Sequence, residues 1–292
     1  MTKPLVIAHR GASGYRPENT IEAFELGISQ GADGLEFDLV NTKDQQLIIR
    51  HENALGHTTN IADNEEFKSF RRTGQIDNHV ISEWFSEDLT LEQVESLAAI
   101  ERLPDLRPGS ALFDGQYKVP TFSELLSQEF IRNKTLVVEL KRGTHINALT
   151  KPIGELAAIY ILNSGCLDRD VDLILESFDY EILMGAKKAM QDRGLQARYF
   201  LALEKTKLKK LNLKHLSQEI NGLAISLKML FSSEAWVESV QGVGLQLWAY
   251  TARAEKATTS IEAYYEEIIQ TGVDGIFADQ PDLLRRVLND RG

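Results

Sequence analysis

Gly34-Leu35-Glu36-Phe37-Asp38-Leu39-Val40-Asn41-Thr42-Lys43-Asp44-Gln45-Gln46-Leu47-Ile48-Ile49-Arg50-His51 holds two apolar runs, residues 34–39 and 46–51, joined by a connection of turn length. Parallel neighbours need a crossover of about a dozen residues, so these runs are expected to form an antiparallel hairpin. A two-residue turn at Asp44-Gln45 places Asp38 opposite His51. Seven further β-prone runs, at 5–9, 135–140, 172–177, 197–203, 222–226, 245–250 and 275–278, are mostly separated by segments of helical periodicity. With 46–51 set aside as a hairpin arm, eight strands remain. Each is followed by a helical pattern except the second, which predicts an α/β fold, a (β/α)8 TIM barrel, with a small insertion after its second strand.

The insertion covers roughly residues 40–118 and breaks the α/β rhythm with charged, turn-rich sequence such as Pro104-Asp105-Leu106-Arg107-Pro108-Gly109. Helical patterning resumes at Thr121, which forms a capping-box pattern with Glu124. No repeat, low-complexity tract or heptad pattern divides the chain, so residues 1–292 read as one domain carrying a hairpin and a cap subdomain.

An apolar fraction of 43% and a charged fraction of 26% are those of a globular protein, and no window holds the roughly 20 apolar residues of a membrane helix. A net charge of −11 argues against nucleic acid as a partner, and Cys166, alone in the sequence, excludes an internal disulfide. The apolar run Leu5-Val6-Ile7-Ala8 is too short for a signal-peptide core before His9 interrupts it. The expected location is cytoplasmic, or periplasmic if the chain is a trimmed mature form.

Chemistry-bearing residues gather at strand ends: His9 and Arg10 after the first strand, Glu36 and Asp38 on the second, Glu139 and Lys141 on the third. In a barrel the C-terminal edge is the catalytic edge. Side chains two apart share a face, so Glu36 and Asp38 point the same way and the adjacent strand brings Glu139 near them. Carboxylates at about 4 Å repel by roughly 4 kcal/mol per pair at an effective dielectric near 20. Three of them require a cation or a proton, and an all-oxygen set suits a divalent metal ion such as Mg²⁺ or Ca²⁺ better than Zn²⁺. His9 and His51 can both reach a ligand at that point and can act as one general base and one general acid. Arg10 and Lys141 would offset negative charge there. His57, His79, His145 and His215 are read as structural.

His9-Arg10-Gly11, Pro17-Glu18-Asn19-Thr20, Gly31 to Asp38, Thr42-Lys43-Asp44 and His51 together closely resemble the glycerophosphodiester phosphodiesterase signature. Pro120-Thr121-Phe122, Glu139-Leu140-Lys141, Ser177-Phe178-Asp179, Trp248 and Gly275-Ile276-Phe277-Ala278-Asp279-Gln280-Pro281 resemble its later landmarks, so the likeness spans nearly the whole chain. The resemblance implies a barrel with an insertion over the active-site mouth. It implies Glu36, Asp38 and Glu139 as metal ligands, His9 and His51 as the catalytic pair, Arg10 and Lys141 on the phosphate, Trp248 in the pocket wall and Glu18 bracing the first loop. Two departures are Glu52, where the family usually has Asp, and Ala252, where Asn is common.

The implied activity is hydrolysis of a small-molecule glycerophosphodiester to glycerol phosphate and an alcohol, without stable membrane association and with the oligomeric state open. The alternatives are a phospholipase on the same barrel, of the phosphatidylinositol-specific or sphingomyelinase D type, and a catalytically idle relative that only binds.

Overall fold

Alternating apolar strands and amphipathic helices bury both faces of a sheet only if the sheet closes or is covered on both sides. In the computed structural model, which describes residues 3–76, 79–141 and 151–291, it closes. The strands are β1 (Leu5–His9), β2 (Gly34–Asn41), β3 (Leu47–Ile49), β4 (Arg72–Ile76), β5 (His79–Glu83) and β6 (Thr135–Leu140). They continue with β7 (Asp172–Ser177), β8 (Arg198–Leu203), β9 (Gly222–Ser226), β10 (Gln246–Ala252) and β11 (Gly275–Ala278). The order β1-β11-β10-β9-β8-β7-β6-β2 is parallel throughout, and β1 also pairs with β2, which seals the ring. This is a (β/α)8 TIM barrel.

Alternation along the strands sends Ile7, Val137, Ile174, Phe200, Ala224, Trp248 and Phe277 into the barrel interior. The opposite faces pack beneath the surrounding helices in a larger core that includes Phe24, Phe37, Leu125 and Cys166. Local signals start the helices: Thr20 caps Ile21–Ser29, Asp179 caps Tyr180–Gln191, and Thr121 with Glu124 forms a capping box at Phe122–Ser127. Each of these caps accepts from one or two of the amides left orphaned at its helix start.

The hairpin exists, but its register differs by one from the sequence expectation. Leu39 pairs with Ile49, Val40 with Ile48 and Asn41 with Leu47, and the Arg50 amide donates to the Asp38 carbonyl at 3.0 Å. Asp38 therefore faces Arg50, not His51. The cause is a three-residue loop, Lys43-Asp44-Gln45, closed by Thr42 and Gln46, whose last residue is left-handed at φ 60°. His51 lies beyond the end of β3 and reaches the mouth of the barrel because the chain has left the sheet.

The insertion folds around its own small core of Phe67, Trp84, Leu89, Val94 and Leu97, shared with Val40 and Ile48 of the hairpin. Trp84 donates its indole N–H to the Phe67 carbonyl at 2.6 Å. The antiparallel pair β4–β5 is an addition that the apolar patterning did not announce.

Candidate active site

The loop after β1 turns sharply because Arg10 and Gly11 are both left-handed, at φ 56° and 80°. A Cβ on Gly11 would sit 2.4 Å from the Ala23 carbonyl carbon, so glycine alone lets this loop press against the helix. The turn aims the Arg10 amide at Glu36 Oε2 (3.0 Å), and the Arg10 side chain donates to Glu18 at 2.9 Å. Glu18 thus braces the first loop. Burial would lift its carboxyl, but Arg10 and Arg102 outweigh that and hold it at about 2.

One ligand oxygen from each of Glu36, Asp38 and Glu139 lies within 4.8 Å of the others, and all three residues are buried. Lys141 Nζ lies 2.9 Å from Asp38 and 2.5 Å from Glu139, while Arg10 Nε lies 3.3 Å from Asp38. Asn19 donates a further hydrogen bond to Asp38 at 2.9 Å. Burial acts against ionised Asp38, yet Lys141 and Arg10 keep it well below the usual carboxyl range. Glu36 is pushed well above that range by burial and by Asp38, and Glu139 is pushed up to about 7 by burial, with Asp38 adding to the rise. The two cationic side chains therefore leave the cluster short of positive charge. A compact, all-oxygen, under-neutralised set fits a hard divalent cation.

The two histidines flank this cluster in matching arrangements. His9 Nδ1 lies 2.7 Å from Asp279 Oδ1, and its Nε2 looks toward Glu36 at 3.9 Å. An acceptor on Nδ1 places the proton there and leaves Nε2 unprotonated toward the cleft, with the Thr251 hydroxyl 3.4 Å away. Burial first, then Arg10, lowers the His9 pKa to about 4, with Asp279 pulling the other way. His51 Nδ1 lies 2.5 Å from Glu52 Oε1, and burial, then Arg10 and Lys141, lower its pKa too. The Glu that replaces the family's usual Asp at position 52 thus still reaches the imidazole.

His9, Arg10, Glu36, His51, Glu139 and Tyr250 line one cleft of about 220 Å³ at the C-terminal end of the strands. Asp38 and Lys141 contact that lining, through Arg10 and Glu139 respectively. Trp248 does not take part: it is fully buried inside the barrel against Phe200 and Phe277, with ring centroids 5.0 and 5.6 Å away. Strand β10 runs on to Ala252, two residues past its expected end, so the inward aromatic at the mouth is Tyr250. His57 and His215 are exposed, and His145 lies outside the described residues.

Sequence reasoning passed over Asp279, Tyr250, Glu176, Arg102 and Arg107, whereas Glu52 is expected from the sequence to remain able to partner His51. Asp279 ends an apolar strand, a position that in a barrel points at the mouth, and this could have marked it. Glu176, buried on the cleft beside Glu139, has an oxygen without a hydrogen-bond partner among the described residues. The two arginines sit in the insertion, where no periodicity reports direction.

The model of the glycerophosphoryl diester phosphodiesterase family matches residues 9–283. A glycerophosphodiester phosphodiesterase of Caldanaerobacter subterraneus subsp. tengcongensis is 27% identical over 99% of this chain and 100% of its own. One from Bacillus subtilis is 28% identical over 97% of this chain and 86% of its own. Among solved structures, an Oleispira antarctica phosphodiesterase in complex with the product sn-glycerol-3-phosphate superposes with a TM-score of 0.68 at 20% identity, covering 98% of this chain and 97% of that one. A match that runs from the first histidine to the last helix, on a barrel with this carboxylate cluster at its mouth, means that the chain belongs to the glycerophosphoryl diester phosphodiesterase family.

Proposed function

We propose that the protein hydrolyses soluble glycerophosphodiesters to glycerol phosphate and the free alcohol, with His9 and His51 as the proton-transfer pair. The observation that carries this reading is that both imidazoles, each with a carboxylate on Nδ1, line the same cleft as Glu36 and Glu139. The full-length relatives named as glycerophosphodiester phosphodiesterases and the Oleispira antarctica structure with its glycerol phosphate product support the substrate class.

Glu36, Asp38 and Glu139 would hold a divalent cation, which as a Lewis acid draws charge off a phosphate oxygen. Arg10 and Lys141 bind the remaining phosphate charge. One imidazole Nε2 takes the proton of the attacking hydroxyl, which belongs to water or to the substrate's own glycerol; in the second case a water then opens the cyclic diester to complete the hydrolysis. The other imidazole, protonated, delivers its proton to the leaving alkoxide oxygen as the P–O bond breaks. A diester anion beside an imidazole favours its charged form, which offsets the depression that burial imposes in the free protein.

The test is a coupled glycerol-3-phosphate assay on glycerophosphocholine, glycerophosphoethanolamine and glycerophosphoglycerol, each with and without chelator. Release of glycerol phosphate that chelator abolishes and a divalent ion restores is expected. Absence of release from every diester in the presence of Mg²⁺ or Ca²⁺ would reject the proposal.

A further inference from the structure

The carboxylates behind both histidines lead to one short stretch of the insertion, Glu101 to Pro108, that the reaction chemistry does not use. Arg102 lies 3.5 Å from Glu52, the partner of His51, and 3.0 Å from Glu18. Five residues on, Arg107 donates from Nη2 to Asp279 Oδ2, the partner of His9. Its other nitrogens donate to Glu255 at 2.7 Å and to the Ser13 carbonyl at 2.9 Å. Arg107 is 5% exposed, and at that depth a guanidinium persists only where its donors are met.

The spacing between the two arginines is fixed by the chain itself. The Leu103 carbonyl accepts from the amides of Leu106 (2.9 Å) and Arg107 (2.8 Å), closing a turn through Pro104-Asp105-Leu106. Glu101 secures the entry, accepting from the Leu103 amide at 2.9 Å while its own amide donates to Asp114 at 2.6 Å. Arg253 supplies a second positive charge 3.0 Å from Asp279 Oδ2, so charge balance does not by itself require Arg107. What Arg107 adds is direction: it engages Oδ2 and turns Oδ1 toward His9.

We propose that this strap is a positioning device in which Arg107, through Asp279, fixes the tautomer and ring orientation of His9, and Arg102, through Glu52, fixes those of His51. The idea rests on reading the two histidines as the proton-transfer pair. It assigns the insertion a part in the chemistry: one rigid turn addresses each imidazole separately.

The experiment is ¹⁵N NMR of the imidazole nitrogens in the full-length protein, with signals assigned by His9→Asn and His51→Asn, alongside steady-state kinetics. In the wild type, Nδ1 of His9 is expected to be protonated and Nε2 bare. Arg107→Gln is expected to mix the two tautomers at His9 and leave His51 unchanged, and Arg102→Gln to do the reverse. Each should lower kcat about 10- to 100-fold with KM held within about two-fold, the scale of groups that orient a site residue. Arg107→Lys, which keeps the charge but not the fork, should recover part of the loss, and it carries the test if Arg107→Gln does not fold. Movement of both histidines together in either variant would show a strap that merely detaches, and would overturn the proposal, as would unchanged imidazole signals. If the wild type hydrolyses no diester, the functional reading fails while the imidazole signals still decide the positioning.

Discussion

Glu36 and Glu139 carry the sharpest consequences at the scale of single residues, because burial holds both above the ordinary carboxyl range in the metal-free protein. Glu139 titrates at about 7 in the fold against 4.5 unperturbed, so the metal-free fold loses stability as pH rises between those values. A bound divalent ion requires the ionised form and removes that penalty. The rise in Tm on adding saturating Mg²⁺ or Ca²⁺ should therefore be larger at pH 7.5 than at pH 5. A shift independent of pH in thermal scans would contradict this. Glu36→Gln or Glu139→Gln should abolish turnover with the far-UV circular dichroism unchanged, and full activity of either variant would remove that residue from the ligand set. His9→Ala and His51→Ala should each lose at least about 10²-fold in kcat, and the double variant much less than the product of the two losses. Near-normal kcat in either single variant would strip that histidine of its role.

Elements decide which of two plausible side chains reaches the cleft. Trp248 and Tyr250 both face inward from β10, and the length of the strand beyond them puts the tyrosine at the mouth and the tryptophan in the interior. Trp248→Ala should thus cost about 3–5 kcal/mol in denaturant unfolding while the folded protein keeps its KM. Tyr250→Ala should act mainly on KM. The reverse pattern in unfolding and steady-state measurements would return the pocket role to Trp248. Strand existence was legible because apolar alternation is a direct imprint of burial, and Thr121 with Glu124 marked a helix start through their own hydrogen bonds. Register was less so. A left-handed Gln45 lengthens the hairpin loop by one residue, and a glutamine gives no compositional sign of that conformation. His51 still arrives at the cleft because it lies past the end of β3, where pleat parity no longer governs it.

The whole molecule sets what can approach the site. A net charge of −11 repels an anionic bilayer, and the acids of Ser82-Glu83-Trp84-Phe85-Ser86-Glu87-Asp88 add to that on the insertion. Glycerol phosphate should be released from glycerophosphocholine or glycerophosphoethanolamine far faster than phosphatidylcholine or sphingomyelin is cleaved in vesicles. A kcat/KM on vesicles equal to or above that on the soluble diesters would favour the phospholipase reading. At this scale the barrel could be read by counting strands, and the carboxylate cluster by which strand ends bear acids. The insertion could not: its hairpin, its core and the reach of Arg102 and Arg107 depend on contacts between segments far apart in sequence. Ring closure has a further consequence, for time. Strand β1 meets β2 some 27 residues on, whereas the contact between His9 and Asp279 spans 270, which adds about 2 kcal/mol of loop-closure entropy to the last seam. That seam also completes the His9 dyad. On the ribosome and in refolding, helices and most strands can assemble before the first histidine acquires its carboxylate. Recovery of activity after dilution from denaturant should therefore lag the return of far-UV ellipticity, and a nascent chain should stay inert until its final strand has emerged.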